Sequence, residues 1–124
     1  LTTLGVVVGP FALESPPALL RVPAALRAAG QQVLFTSAAP GSPPGALRLS
    51  AALAVRHGLP AEVALDALSR AAAEALGVGE RVGTLEVGKD GDLVVLDGPP
   101  LDPATRVLET WIEGRRVHQA GRSP

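Results

Sequence analysis

The chain has 124 residues, 47% of them apolar but only 2% aromatic, so a single domain's core has to be built from Ala, Val and Leu. A net charge of −1 with both signs interspersed argues against an electrostatic nucleic-acid surface and against a polybasic membrane patch. Without cysteine there is no disulfide or thiolate metal site, and no apolar run reaches the roughly 20 residues of a membrane-spanning helix.

The chain opens on Leu1 and contains no methionine, and no charged segment leads into a signal-type apolar stretch. A piece of a longer or processed polypeptide is the expectation. Leu4 to Val8 is a short apolar run rich in valine, bounded by the Gly9-Pro10 breaker. Such a run predicts a strand buried on both faces, as in a parallel sheet. Ser15, Pro16 and Pro17 punctuate. Leu19 to Ala29 then reads as a helix closed by Gly30, its regular part starting near Pro23. Gln32 to Thr36 is a second apolar strand, followed by the loop TSAAPGSPPG, which carries no acidic, basic or thiol side chain.

Ala46 to Arg56 predicts a helix, with Leu49, Leu53 and the Ala51/Ala52 pair on one stripe and Gly58 as its stop. Pro60 to Leu76 predicts a further one: Pro60 suits the first turn and Glu62 complements the positive end of the dipole. Leu65, Leu68, Ala72 and Leu76 recur at helical spacing, and Gly77 closes the pattern. The order strand, helix, strand, helix, helix points to parallel βα units. From Glu80 glycines at 83, 88, 91 and 98 separate short apolar runs, and Glu113-Gly114 between two strand-like runs reads as a two-residue hairpin turn. This half is β and antiparallel. Two βα units and three or four strands do not close a fold, so partner material is expected.

Few residues offer chemistry. Gly77-Val-Gly79 with Gly83 has the look of a phosphate loop, but it follows a helix and enters strands, the reverse of what the dinucleotide fingerprint requires. His57 in a last helical turn suits the dipole, and no second ligand stands at metal spacing. His118, beside Arg115 and Arg116, reads as surface, and the two arginines as protection of a strand edge. The Asp90-to-Asp92 run is too short for a calcium loop and reads as a charged turn around Gly91. No G-x-S-x-G nucleophile elbow occurs.

One stretch goes further. GTLEVGKDGDLVVLDGPPLDPATRVLETWIEGRRV, within Val82 to Val117, resembles the C-terminal signature of the amidohydrolase superfamily, especially its imidazolonepropionase-like, cyclic-amide-hydrolysing members. There a strand carrying G-x-L-E-x-G-K-x-A-D-L-V-V leads to a D-P loop and a closing I-x-G-R-x-V hairpin. ALDALSRAAAEALGVGERVG is similar to the preceding helix of that family, and AALRAAGQQVLFTSAAPGSP to its last barrel strand. The resemblance implies an α/β chain holding the last βα units of a TIM-type (β/α)8 barrel in residues 1–79. The C-terminal strands of a small β-sandwich would occupy residues 80–124, the whole being incomplete on its own.

In the family a divalent metal, often zinc, is held mainly by histidines of earlier barrel strands, and an aspartate follows the last strand in a Ser-Asp or Thr-Asp pair. That aspartate binds the metal and takes a proton from its water. Here Ser37-Ala38-Ala39-Pro40 stands in its place, so Ala38 occupies the aspartate position, and Ala71 stands where the family helix often has Asn. The resemblance therefore implies no catalytic residue and no metal ligand in this chain, with Ser37 left as a substrate-binding candidate. Three functions compete: the C-terminal part of a metal-dependent hydrolase of cyclic amides or imides; a non-catalytic relative or structural subunit that assembles with another chain; and a free-standing binding domain, disfavoured by the open fold. The partner expected is the remaining barrel half, as another chain or a missing segment, in a homo- or hetero-oligomer, with neither nucleic acid nor membrane.

Overall fold

The structure, a computed structural model, describes residues 5–121. Leu4, the first residue of the first expected strand, lies outside them, as do the outer ends of the two expected segments 1–79 and 80–124. The first strand, β1 (Gly5–Val8), pairs in parallel with β2 (Gln32–Phe35), in the register Val6 to Val33 and Val8 to Phe35. Val33 and Leu34 are both buried, and Phe35, on the same face of β2 as Val33, packs against the core residues of the helices. Val7 is 58% exposed, so the expectation of a first strand covered on both faces does not hold: among the described residues β1 pairs with β2 alone, and Val7 is left more than half uncovered.

Between the strands, α1 (Pro17–Leu20) and α2 (Val22–Ala28) replace the single expected helix. Pro23 has no N–H to donate and takes the second position of α2, where none is needed. Helix α3 (Ala46–Arg56) has the predicted bounds. The Pro60-to-Leu76 pattern instead splits into α4 (Ala61–Ala67) and α5 (Arg70–Ala75). Ser69 breaks it: its backbone leaves the helical region at φ −136°, ψ −96°, and its hydroxyl donates to the Leu65 carbonyl at 2.8 Å. Pro60 lies just outside the helix, as the residue before its first turn.

Three helices end in the same way. After α2, α3 and α5, glycines 30, 58 and 77 adopt positive φ, and two amides reach back to the last turn. Gln31 donates to the Leu26 carbonyl, Leu59 to Ala54 and Val78 to Ala73, each at 2.9–3.0 Å. The glycine stops read in the sequence are thus Schellman caps. Leu59 leaves its cap directly into the core, where it is 2% exposed.

That core is small-featured. Ala51, Ala54, Leu59 and Ala64 form one cluster, and Phe11, Leu20 and Leu53 form another; Phe35 packs against both. The buried stripe of the α4–α5 segment is Ala64, Ala67, Ala71 and Ala73, not the leucines at 65, 68 and 76. Leu76 is 79% exposed. Methyl side chains suit close approach of the helices and β2 here, and of the leucine row only Leu68 packs against this cluster, while Leu65 and Leu76 are exposed.

The remaining strands, β3 (Leu93–Leu96), β4 (Val107–Ile112) and β5 (Arg115–Gln119), form an antiparallel meander with β4 in the middle. The hairpin joining β4 and β5 turns on Glu113 (φ 50°) and Gly114 (φ 73°), the paired positive φ of a type I′ turn. On edge strand β5, Arg116 pairs with Glu109 at 3.2 Å and lies over the Trp111 ring at 5.9 Å, so the edge arginines face solvent as expected. Residues 82–92, part of which the resemblance placed in a strand, form turns instead. Lys89 gathers them: its ammonium donates to the Gly79 carbonyl and the Thr84 hydroxyl, both at 2.7 Å, and pairs with Glu86 at 3.0 Å. Arg48 of α3 ties the helical part to the meander by donating to the Thr105 carbonyl at 2.7 Å.

Candidate functional site

Because β1 and β2 are parallel, their carboxyl ends lie on one side, and the loops that leave Val8 and Phe35 emerge together. In barrels of parallel strands this is the face on which active sites are built. The Thr36 amide donates to the Val8 carbonyl at 3.0 Å, carrying the pairing one residue beyond β2. The chain then turns sharply. Ala38 takes φ +52°, its amide donates to the Thr36 hydroxyl at 3.1 Å, and its carbonyl accepts from Gly41 at 3.2 Å. Ala39-Pro40 is a cis peptide, as is Gly9-Pro10 in the facing loop.

Ser37 is half-buried, while Ala38, Ala39 and Pro40 are exposed. A left-handed backbone costs an alanine roughly 1 kcal/mol, whereas aspartate and asparagine adopt it more readily. The turn therefore has a shape that suits a short polar residue at position 38, and the sequence puts a methyl group there.

Beside this turn lies an open cavity of about 390 Å³. Its apolar walls include Pro10, Phe11, Pro44 and Leu49, and Arg48 and Asp102 bring charge to it. Sequence reasoning passed over Arg48, Asp102 and the buried Ser50 behind Phe11. Ser50 had a signal, since it falls on the same helical stripe as Ala46, Leu53 and Ala54.

The other candidate groups are occupied locally. His57 Nδ1 lies 2.9 Å from the Leu53 carbonyl at the end of α3, in the last-turn position its sequence context suggested. His118 is exposed on β5. Asp90 pairs with Arg81 at 2.9 Å, the Asp92 carboxylate accepts from the Glu113 amide at 2.9 Å, and the Gly91 carbonyl accepts from Gly114 at 3.0 Å. The KDGD run is a turn clasped to the β4–β5 hairpin. Among the described residues no three His, Cys, Asp or Glu side chains are grouped so that they could hold a metal ion. By themselves the described residues do not fit a metal centre.

Comparison with known proteins gives the turn its context. Residues 21–118 match the model of the amidohydrolase family. The chain is 37% identical over 97 residues to an imidazolonepropionase of Maricaulis maris (strain MCS10), covering 76% of this chain and 23% of that protein. It is 39% identical over 66 residues to the amidohydrolase tasK of Hapsidospora irregularis, covering 53% of this chain and 7% of that protein. Among solved structures, an amidohydrolase from Thermotoga maritima MSB8 superposes with a TM-score of 0.82 at 32% identity, over 94% of this chain and 32% of that one. A zinc-bound adenosine deaminase from Xanthomonas campestris reaches 0.57 at 29% identity, over 81% of this chain and 27% of its own. The chain thus spans less than a third of each of these proteins. Matched over most of its length by that family model and built as mixed α/β on a TIM-barrel-type fold, the chain belongs to the amidohydrolase family.

Proposed function

We propose that this chain is the C-terminal portion of an amidohydrolase-family protein whose parent reaction is metal-dependent hydrolysis of non-peptide C–N bonds in cyclic amides or imides. Residues 1–79 would supply the last two βα units of the barrel and residues 80–124 the C-terminal strands of the sandwich. The remaining barrel, as another segment or another chain, would bring the metal ligands and cover β1. The observation that carries this reading is the turn at Ala38, which leaves the carboxyl end of β2 in a left-handed conformation suited to aspartate. An aspartate there would ligate a divalent metal and accept a proton from its water; a methyl group does neither.

The same turn favours a second reading, a non-catalytic relative or structural subunit that keeps the fold for assembly or ligand binding. Ser37, next to the turn, is the residue left to contact a ligand. Metal analysis and turnover of the native assembly separate the two. Stoichiometric zinc with hydrolysis of a cyclic amide or imide supports the enzyme and removes the second reading. No metal in the native assembly, with zinc uptake gained in Ala38→Asp or Ser37→Asp, supports a lost site. Failure of both variants to gain zinc in the complete assembly overturns the assignment of this turn to the metal site.

A further inference from the structure

We infer that Ser50 is a positioning residue for this face: from inside α3 it fixes the loop leaving β1 against the loop leaving β2. The inference rests on the reading above only in taking this face as the site. Ser50 is fully buried, one of two polar residues in the core of the described chain. Its hydroxyl oxygen accepts the Phe11 amide at 2.8 Å, across 39 positions of sequence. Phe11 is the first residue after Pro10 with an N–H to give, and its ring is buried with Leu20 and Leu53 against Val8 and Phe35.

The second loop is held in the same knot. A Cβ added at Gly9 would lie 3.2 Å from the Thr36 carbonyl and 3.6 Å from Ser50 Oγ, so the two loops approach closely beside Ser50, with little room for a side chain at Gly9. Thr36 in turn donates to the Val8 carbonyl. Val8, Gly9, Phe11, Thr36 and Ser50 form one contiguous unit, and Ser50 is its only side chain making a polar link to another element among the described residues. A serine that served packing alone would be replaced by alanine without local consequence. One that positions the loops leaves a buried amide unpaired when its hydroxyl is removed, and the two loops loosen together.

Amide-resolved hydrogen exchange on the protein in its native assembly tests this. In the unsubstituted chain the Phe11 amide should exchange at least about ten-fold more slowly than that of exposed Leu13. Ser50→Ala should speed exchange at Phe11 about ten-fold or more and carry the Thr36 amide with it. The amides of Ala54 and Val55, in the same helix, should change far less. Equal acceleration at Phe11 and across α3 would make Ser50 a packing residue and overturn the inference, as would no change at Phe11. Should Ser50→Ala not fold, a Phe11 amide that exchanges as fast as Leu13 in the unsubstituted chain is enough to overturn it. None of these readouts involves metal or turnover, so the zinc experiment can fail while this one holds, and the reverse.

Discussion

Thr36 holds Ala38 in place: the threonine hydroxyl accepts the alanine's amide at 3.1 Å while the alanine backbone sits at φ +52°. That conformation disfavours an L-residue with only a methyl group, and a β-branched residue most of all. Ala38→Asp and Ala38→Asn should keep the stability of the parent or raise it by up to about 1 kcal/mol, and Ala38→Val should lower it by about 1–2 kcal/mol. Urea unfolding of the three variants in the native assembly checks the order. Asp below Val would contradict it.

Lys89 should be the most costly lysine or arginine to neutralise. Its side chain is only 17% exposed, and its ammonium contacts Gly79, Thr84 and Glu86 together. Lys89→Met leaves a carbonyl and a hydroxyl without their donor and should cost about 1–3 kcal/mol. Arg115→Met, on the exposed edge strand, should stay within about 0.5 kcal/mol of the parent. Comparable losses for both would mean that Lys89 does not organise the turns of residues 82–92.

Two glycines of the β4–β5 hairpin region separate strain from collision. At Gly114, φ is +73° and nothing lies within 4 Å of an added Cβ, so Gly114→Ala should cost only the left-handed penalty of about 1 kcal/mol. At Gly91 the added atom would lie 2.7 and 2.9 Å from the Gly114 backbone, which cannot rotate aside. Gly91→Ala should cost more, about 2 kcal/mol or above. Thermal melts of the pair give the ranking directly.

The Asp97 carboxylate accepts the Arg106 amide at 2.8 Å and faces its guanidinium at 2.9 Å. The backbone hydrogen bond, with the arginine's side chain adding to it, holds Asp97 below the ordinary Asp range. A carboxyl group depressed in the folded state contributes stability that is complete above its unfolded pKa, about 3.9, and is lost as pH falls through the lower folded value. Asp97→Asn should therefore flatten the stability profile below about pH 4 and leave its shape above pH 5 unaltered. Denaturant midpoints collected from pH 3 to pH 7 measure it.

Expressed on its own, the chain should be molten or aggregate, because among the described residues both outer edges of the β1–β2 pair are open and Val7 and Val94 lie more than half exposed. Dye binding to exposed apolar surface together with a broad thermal transition is the expected result. A sharp, cooperative melt of the isolated monomer would falsify this.

Local signals in the sequence were strong wherever one residue type had to satisfy one backbone need. The stops at Gly30, Gly58 and Gly77, the bounds of α3 and the Glu113-Gly114 turn were legible because a positive φ or an orphan carbonyl leaves few residue choices. Position 38 stood out only through the family resemblance, and its assignment to a metal site is a proposal, since a methyl group announces no chemistry. The break at Ser69 was not, because a serine in a helix can bond back to its own turn without ending it. Nor was the identity of the buried stripe in α4 and α5. Leucine spacing marks an apolar row, but whether that row or the alanine row goes inward depends on how close the neighbouring helix lies, which is a tertiary property.

The alanine interior carries a consequence for how this protein can change. Ala51, Ala54 and Ala64 have no accessible surface and pack together in one buried cluster. Almost any other side chain is larger, so nearly every substitution there must push a helix outward rather than leave a hole. The interior has little left to lose by truncation and much to lose by growth. Variation should therefore collect on the exposed row of Leu65 and Leu76 and in the loops, leaving the helix contacts nearly fixed in volume while the loop surface diversifies.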